Sequence, residues 1–414
     1  MEPFTVVGLG ALAVALPPAV VLALECAFAA LPTPRAPWKH ARRPRLAVLV
    51  PAHDEEALLP RALRSVRDQL APGDRLLVVA HNCRDATASL ARALGAEVIE
   101  PRDSGSRGKS DAVLAGLAHL AAGAPPEIVV ILDADGVLRR GSLDALARAA
   151  AFHGSPVQAE YVFRAPRGSG GRAEVSRFSI LLKNVVRARG LHRLGLGCLV
   201  TGSGFAFPLQ ALLGVPQGDG SIAEDTQLAL DLARRRRPCR FVPEARVTSE
   251  LPLLRTHAAR QHRRWEHGHL DLVRRSPALL LESLARRNAA LFTLAIEVAV
   301  PPLGVLCGAL VLASACFAAS PAAGLARAGL VLALGALAAL IAVLGATAVR
   351  ELGPRRALRI VRGLGAYVLW KLPVLADYAA DRERSWTRTP RDLDARRPSA
   401  SMTAAASTGG SRRT

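Results

Sequence analysis

The sequence predicts an α/β domain on a doubly wound, mostly parallel sheet, joined to transmembrane α-helices. Three observations carry this. Between residues 45 and 132, short apolar runs of strand length alternate with helix-forming stretches, the pattern of a parallel sheet wrapped by helices. Apolar runs of membrane length lie before and after the region of residues 35 to 285. Arginine and lysine cluster on one flank of those runs, the bias that orients a membrane protein.

Phe4 to Leu24 carries no charged residue and is long enough for a hydrocarbon core of about 30 Å. Ala27-Phe28-Ala29 mimics a signal-cleavage site, but Met1-Glu2-Pro3 lacks the positive charge of a signal peptide, so the run reads as an uncleaved anchor. Pro17-Pro18 is expected to kink or break it. Arg35, Lys39, Arg42, Arg43 and Arg45 follow, which places residues 35 onward in the cytoplasm.

Strands are expected at Arg45–Val50, Leu76–Val79, Glu97–Ile99 and Ile128–Leu132. Helices are expected at Glu55–Leu70, Thr87–Leu94 and Asp111–Ala121. Two further apolar runs, Ala289–Ala319 and Ala328–Val349, are separated by a loop with Arg327 alone and followed by Arg350, Arg355, Arg356, Arg359 and Arg362. They read as one membrane hairpin with its short loop outside. Glu297, inside the first of these runs, is costly against lipid and is expected to face a protein or water-lined interior. Gly363–Ala380 holds Lys371, Pro373 and Asp377 and reads as an interfacial amphipathic helix rather than another span. Residues 395–414, rich in Ser, Ala, Gly, Arg and Thr, read as a disordered tail.

The chain has 414 residues, half of them apolar, and a formal net charge of +20. That pairing suits a membrane protein with a basic cytoplasmic face and anionic ligands such as a nucleoside diphosphate or acidic lipids. Nucleic acid is not expected as a partner, because no helix-turn-helix, zinc-finger or aromatic RNA motif accompanies the charge. The six cysteines form no Cys-x-x-Cys pair or zinc spacing and read as reduced structural thiols.

Ligands of doubly wound sheets sit beyond the carboxyl ends of the strands. Pro51–Glu55, His81–Asp85 and Asp133–Asp135 each follow a predicted strand end, so they are expected to converge on one crevice. Asp133-Ala134-Asp135 is the strongest local signal. Residues i and i+2 at a strand end point the same way, and two carboxylates so placed call for a cation or a shared proton. Oxygen ligands suit Mg²⁺ or Mn²⁺. Gly105-Ser106-Arg107-Gly108-Lys109 offers flexible backbone, a lysine and a helix start for diphosphate oxygens, without Walker A spacing; a solvated turn is equally consistent. Thr201–Phe207 is a small-residue segment that admits either a close sugar or a plain strand turn. Glu224-Asp225 opens the helical stretch Leu228–Leu232, where a carboxylate serves both a helix start and a general base. Gln261, Arg264 and Trp265 share a helix face by i, i+3 and i+4 spacing. A basic helix lying on a membrane accounts for Arg260 and Arg263 but does not require Gln or Trp.

In this order and with these gaps, Val50-Pro51-Ala52-His53-Asp54-Glu55, Asp133-Ala134-Asp135, Glu224-Asp225 and Gln261-His262-Arg263-Arg264-Trp265 resemble the signature of membrane-bound family 2 glycosyltransferases. That group includes bacterial cellulose synthase, hyaluronan synthase and poly-N-acetylglucosamine synthase. The resemblance covers residues 45–270 closely. It implies a GT-A-type fold and inverting, metal-dependent sugar transfer from a nucleotide sugar, with UDP as the expected nucleotide. The acceptor it implies is a polysaccharide, oligosaccharide or lipid-linked glycan. By the same resemblance Pro51, His53, Glu55, Lys109 and Asp133 bind the donor, Asp135 the metal, and Gln261, Arg264 and Trp265 the acceptor and diphosphate. Asp225, with Glu224, is the implied base. The chain departs from the family pattern at His81, where an acid reads the base, and at Ala223, usually Thr. Asp85 is read instead as tying down the next helix. Trp386–Arg391 resembles a segment near the active-site mouth of several relatives, or is a basic juxtamembrane tail.

The expected organisation is an N-terminal anchor (1–34), a cytoplasmic transferase domain (35–285), a membrane hairpin (286–350), an interfacial helix with a basic segment (351–394) and the tail. The expected location is the inner (plasma) membrane, multi-pass, with membrane lipids as partners. Three spans make a poor pore for a polymer, which favours a short or lipid-linked acceptor unless a homo-oligomer or export partner restores a channel. The rival reading is a non-catalytic, transferase-like membrane subunit of a polysaccharide assembly complex.

Overall fold

The computed structural model describes residues 2–102, 108–165, 170–212, 223–252, 254–321 and 323–380. Gly105-Ser106-Arg107, Trp386–Arg391 and the tail 395–414 lie outside the described residues.

The chain opens with α1 (Pro3–Ala29). Proline near its first turn suits a helix start, where no intrahelical N–H is needed. Pro17 and Pro18, expected to kink or break it, lie inside one unbroken helical assignment. An interior proline forfeits a hydrogen bond and costs about 3 kcal/mol. Here the buried residues Leu12, Ala15, Ala19 and Leu22 bracket the pair, and their packing against the C-terminal helices holds the helix through it.

The domain then alternates strand and helix: β1 (Leu46–Ala52), α2 (Leu59–Arg67), β2 (Arg75–Ala80), α3 (Thr87–Ala93), β3 (Glu97–Ile99), α4 (Lys109–Ala122) and β4 (Ile128–Ile131). The expected elements are all present. The first helix starts at Leu59 rather than Glu55, because residues 53–57 form the turn that follows β1. The strands are parallel in the order β3-β2-β1-β4, with Ala47–Ala52 paired to Arg75–Ala80 and Leu46–Leu49 to Ile128–Ile131. The order reverses between β1 and β4, so a crevice opens beyond the ends of those two strands. Alternation explains the layers. Leu46, Val48 and Val50 pack with Leu59, Leu63 and Val66 of α2 on one face, while Ala47 and Leu49 pack with Ala112, Val113 and Leu120 of α4 on the other.

The second half of the sheet departs from the mostly parallel expectation. It comprises β5 (Val137–Leu138), α5 (Ser142–His153), β6 (Val157–Arg164), α6 (Gly171–Leu181), a π-helical turn (Leu182–Arg187), α7 (Ala188–Arg193), β7 (Phe205–Pro208), α8 (Leu209–Leu212), α9 (Glu224–Arg234) and β8 (Arg240–Glu250). β7 runs antiparallel to both β4 and β6, β8 parallel to β6, and β5 antiparallel to β8. The sheet is therefore mixed.

The C-terminal part is helical: α10 (Arg255–Ala285), α11 (Ala289–Ala299), α12 (Leu303–Ala319), α13 (Ala323–Leu352) and α14 (Pro354–Ala380). The apolar run Ala289–Ala319 is not one straight helix; α11 and α12 meet at Pro301-Pro302 with a bend of 68°. Leu291, Leu294, Ala295 and Val298 of α11 pack into the same core as α4 and α9, whereas α12 packs with α1 and α13. Among the described residues α1 and α13 are long and apolar enough to cross a membrane, and the bent pair makes a third crossing if it counts as one span. α14 crosses α6 where Gly171 meets Gly363; a Cβ on either would collide with the other's backbone.

Candidate functional site

Two turns build one wall of the crevice. The turn after β1 and the turn after β2 are joined by hydrogen bonds. His53 Nδ1–H donates to the His81 carbonyl (2.7 Å), the Arg84 amide to Asp54 Oδ1 (2.7 Å), the Ala86 amide to Glu56 Oε2 (2.8 Å) and the Glu55 amide to Thr87 Oγ1 (2.8 Å). Asp85 accepts from the Thr87 amide at the start of α3 (2.9 Å) and from the Glu56 amide (3.1 Å), so it ties down the helix as expected and also clamps the neighbouring turn.

β4 ends at Ile131, and Asp133–Gly136 form a turn closed by the Gly136 amide on the Asp133 carbonyl (2.8 Å). The two aspartates therefore approach the same space through a turn, not through strand alternation. Ala134, between them, is buried. Asp133 Oδ1 pairs with Lys109 Nζ at 2.6 Å, and its amide donates to Ser203 Oγ. The Asp135 carboxylate receives the Ser249 hydroxyl at 3.4 Å, and Tyr161 donates to that hydroxyl.

The opposite wall comes from distant segments. Lys109 Nζ also donates to the Gly202 carbonyl (2.7 Å). Gly202 has φ +84°, and a Cβ there would collide with Asp225 Oδ2, so glycine is required on both counts. This contact seats Asp225, in the first turn of α9, against the loop that holds Lys109. Surrounding protein raises the Asp225 carboxyl above its ordinary range against the opposing pull of Lys109. Glu224 is pushed up to about 7 by burial, then by the neighbouring Asp225 charge. Burial works against the charge of Lys109, but Asp133 and then Asp225 outweigh it and leave its ammonium above the usual lysine range.

The residues expected to bind donor, metal, acceptor and diphosphate or to act as base line one cavity of about 980 Å³: Pro51, His53, Glu55, Lys109, Asp133, Asp135, Glu224, Asp225, Gln261, Arg264 and Trp265. Trp265 stands edge-on to Phe163 of β6 and to His262 (ring centres 5.7 Å apart in both cases). Two polar atoms among these walls, Gln261 Oε1 and Thr201 Oγ1, are buried without a hydrogen-bond partner among the described residues. Such orphans are rare in native interiors and mark a place for a ligand or water. The carboxylates of Asp133 and Asp135 form an all-oxygen set that suits a hard divalent cation completed by substrate phosphates. Among the described residues, the metal-like group of three or more His, Cys, Asp and Glu side chains is Asp54, Cys83 and Asp85. It holds the two turns together and is not the pair expected from the sequence.

Several lining residues were not singled out: Lys183, Asn184 and Arg187 on the π-helical turn, His269 on α10 and Lys371 on α14. Arg187 bridges α1 and α11, with Nε 2.6 Å from Glu25 and Nη2 3.0 Å from Glu297. Glu297 thus faces protein and the cavity, as expected. Lys371 pairs with Glu266 and reaches His262 Nδ1 at 3.3 Å, while His262 Nε2 meets Ser176 Oγ at 2.6 Å. The signal that was available is the i, i+4 pair Lys183 and Arg187 within the otherwise mostly apolar stretch Ile180–Ala188.

A family profile described as glycosyltransferase like family 2 matches residues 44–268. Among solved structures, the chain is similar to the mannosyltransferase PcManGT from Pyrobaculum calidifontis in complex with GDP-Man and Mn²⁺. Identity is 22%, TM-score 0.58, and the match covers 92% of this chain and 100% of that one. At that identity the likeness is one of fold. It is also similar, with a TM-score of 0.32 and 22% identity, to glucosyl-3-phosphoglycerate synthase from Mycobacterium tuberculosis in complex with Mn²⁺, UDP-Glc and phosphoglyceric acid, over 48% of this chain and 69% of that one. No curated protein matches the chain.

Proposed function

The chain belongs to glycosyltransferase like family 2 and has a GT-A-like fold, and from that premise we propose that its cavity performs an inverting sugar transfer at the inner face of a membrane. The donor is a nucleotide sugar and the acceptor a hydroxyl of a short or lipid-linked glycan or lipid. The observation that carries this reading is the seating of Asp225 against Gly202, whose carbonyl accepts from Lys109, itself paired to Asp133. One base, one cation and one carboxylate from three distant segments thus meet at a single point.

Asp225 takes the proton of the acceptor hydroxyl as that oxygen attacks the anomeric carbon. The bond from the anomeric carbon to the diphosphate breaks, and its electron pair leaves with the diphosphate. Lys109 and Arg264 stabilise the charge that develops there. A carboxyl raised by burial is a stronger base once ionised, which suits proton abstraction near neutral pH. Pro51, His53 and Glu55 hold the nucleoside side, and Trp265 offers a flat apolar face for a sugar ring. Gln261 Oε1 and Thr201 Oγ1 are satisfied by ligand hydroxyls. Asp135, with Asp133 beside it, would hold Mg²⁺ or Mn²⁺, which supplies positive charge to the donor's diphosphate. A solved structure similar in fold carries GDP-Man with Mn²⁺, so GDP-sugars belong in the test beside the UDP-sugars that the sequence resemblance implies. Helices α1 and α13, with the bent pair α11–α12, support membrane anchoring of the membrane-bound type. They offer few walls for a polymer channel, which favours single transfer over secretion.

The test is nucleoside diphosphate release by the purified full-length protein across UDP- and GDP-sugars, with Mn²⁺ or Mg²⁺, beside Asp225→Asn. The expected outcome is release with one donor, reduced about 10²–10⁴-fold by the substitution, with nucleotide affinity retained. Equal release by both proteins removes Asp225 as the base. Nucleotide binding with no release from any donor and any acceptor tried favours a non-catalytic subunit.

A further inference from the structure

Lys183 lines the cavity from the π-helical turn and makes no hydrogen bond or ion pair among the described residues. It keeps some exposure, and that exposure is to the cavity. Protein closes around it, and burial together with the nearby Arg187 charge lowers its ammonium below the usual lysine range. Arg187 is already committed to Glu25 and Glu297. An enclosed, unpaired ammonium costs several kcal/mol, so a fold that keeps one there keeps it for an anion that the chain does not supply.

That anion is not the donor's diphosphate. Lys109 Nζ is tied to Asp133 Oδ1 at 2.6 Å and to the Gly202 carbonyl at 2.7 Å, at the carboxyl end of β4, and so occupies the donor side. Lys183 lines the cavity from a different element, the π-helical turn, beside Asn184 and Arg187. The same cavity is also lined by Leu22 of α1 and by Val300, Pro301, Pro302 and Leu303 at the bend between α11 and α12. A free sugar has no use for that wall, whereas a lipid tail does.

Resting on the transferase reading for the role of Asp225, we propose that the acceptor is an anionic lipid: a hydroxyl-bearing headgroup joined by a phosphate diester to an apolar tail, with the phosphate on Lys183 and the tail along Leu22 and residues 300–303.

Binding tests this without turnover. Full-length protein in phosphatidylcholine nanodiscs is titrated with dioctanoyl phosphatidylglycerol, with a neutral galactosyl diacylglycerol of the same chain length, and with tail-free glycerophosphoglycerol. Phosphatidylglycerol is expected to bind at least about tenfold more tightly than either other probe, the yield of one good charge-assisted contact. Lys183→Gln is expected to abolish that preference, Lys183→Arg to keep most of it, and nucleoside diphosphate affinity in Lys183→Gln to stay within about twofold. Equal binding of the neutral lipid, or phosphatidylglycerol affinity unchanged in Lys183→Gln, overturns the phosphate site. Equal binding of the tail-free probe overturns the lipid. Weakened nucleotide binding in Lys183→Gln overturns the placement by moving Lys183 to the donor. Donor turnover read separately tells a failure of this inference from a failure of the transfer reaction itself.

Discussion

The two walls of the cavity are held by different physics. The wall from β1 to α4 is made of adjacent turns joined by backbone-to-side-chain hydrogen bonds such as Arg84 to Asp54 and Glu56 to Asp85. The partners of each bond sit about thirty residues apart, in the turns that follow neighbouring strands of one parallel sheet. The wall facing the C-terminal helices is joined by charges: Arg187 to Glu25 and Glu297, Arg189 to Glu351, Lys371 to Glu266. These pairs reach across much larger separations, 162 residues for Arg187 and Glu25 and for Arg189 and Glu351. Hydrogen-bonded turns are strong in sum and weak singly. Buried ion pairs invert this, because removal of one partner leaves the other charged and dry.

The largest expected effect follows from that inversion. Arg187→Met leaves Glu25 and Glu297 facing each other without a cation, each nearly fully buried. The expected loss is about 3–5 kcal/mol of stability, read as a large fall in melting temperature and in yield of folded protein. The triple change Arg187→Met, Glu25→Gln and Glu297→Gln is expected to recover most of it, since no charge then remains to be desolvated. Failure of the triple to recover would mean that the helices are held by packing around Arg187 and not by its charge.

The contrasting change is Asp85→Ala. It removes acceptors for the Thr87 and Glu56 amides on the donor-side wall. The bonds are partly exposed and water replaces them, so the expected cost is about 1–2 kcal/mol in stability. Because Glu55 hangs on Thr87, the apparent KM for the donor is expected to rise several-fold while the maximal rate is nearly kept. A loss as large as that of Arg187→Met would erase the distinction between the walls.

The same contrast explains what could be read from the chain. The wall from β1 to α4 was legible because strand periodicity and short loops dictate it locally; β1 to β4 and the turns after them fall where the apolar runs end. Asp225 and Gln261 to Trp265 were legible through their motifs, although no local rule brings them to Lys109. The mixed half of the sheet was not legible, because antiparallel insertion of β7 between β4 and β6 is a long-range pairing that leaves the local pattern of Phe205–Pro208 unchanged. The bend at Pro301-Pro302 was hidden for a related reason. Hydropathy averages over α11 and α12, while their partners differ: the transferase core for α11, α1 and α13 for α12. Lys183 and Arg187 read as ordinary basic residues until the fold encloses them.

The smallest effect lies at the seam between the walls, in Glu224. Burial and the adjacent Asp225 push its carboxyl up to about 7 from an ordinary value of 4.5. In that window the native chain holds a proton that the unfolded chain has released, so stability falls as pH rises from about 4.5 to about 7. Below the window both states are protonated and the term vanishes; above it the full cost of a buried carboxylate is present. Glu224→Gln removes the titration while keeping the shape. The melting temperature of the variant is therefore expected to depend less on pH across this window than that of the parent, and to exceed it modestly at pH 8. Asp225 ionises while Glu224 still holds its proton, so the acid limb of the rate profile is expected to stay in place in the variant. A limb moved to lower pH would mean that Glu224 is charged during turnover, paired to the donor or its cation, and that the seam is set by ligand charge rather than by burial.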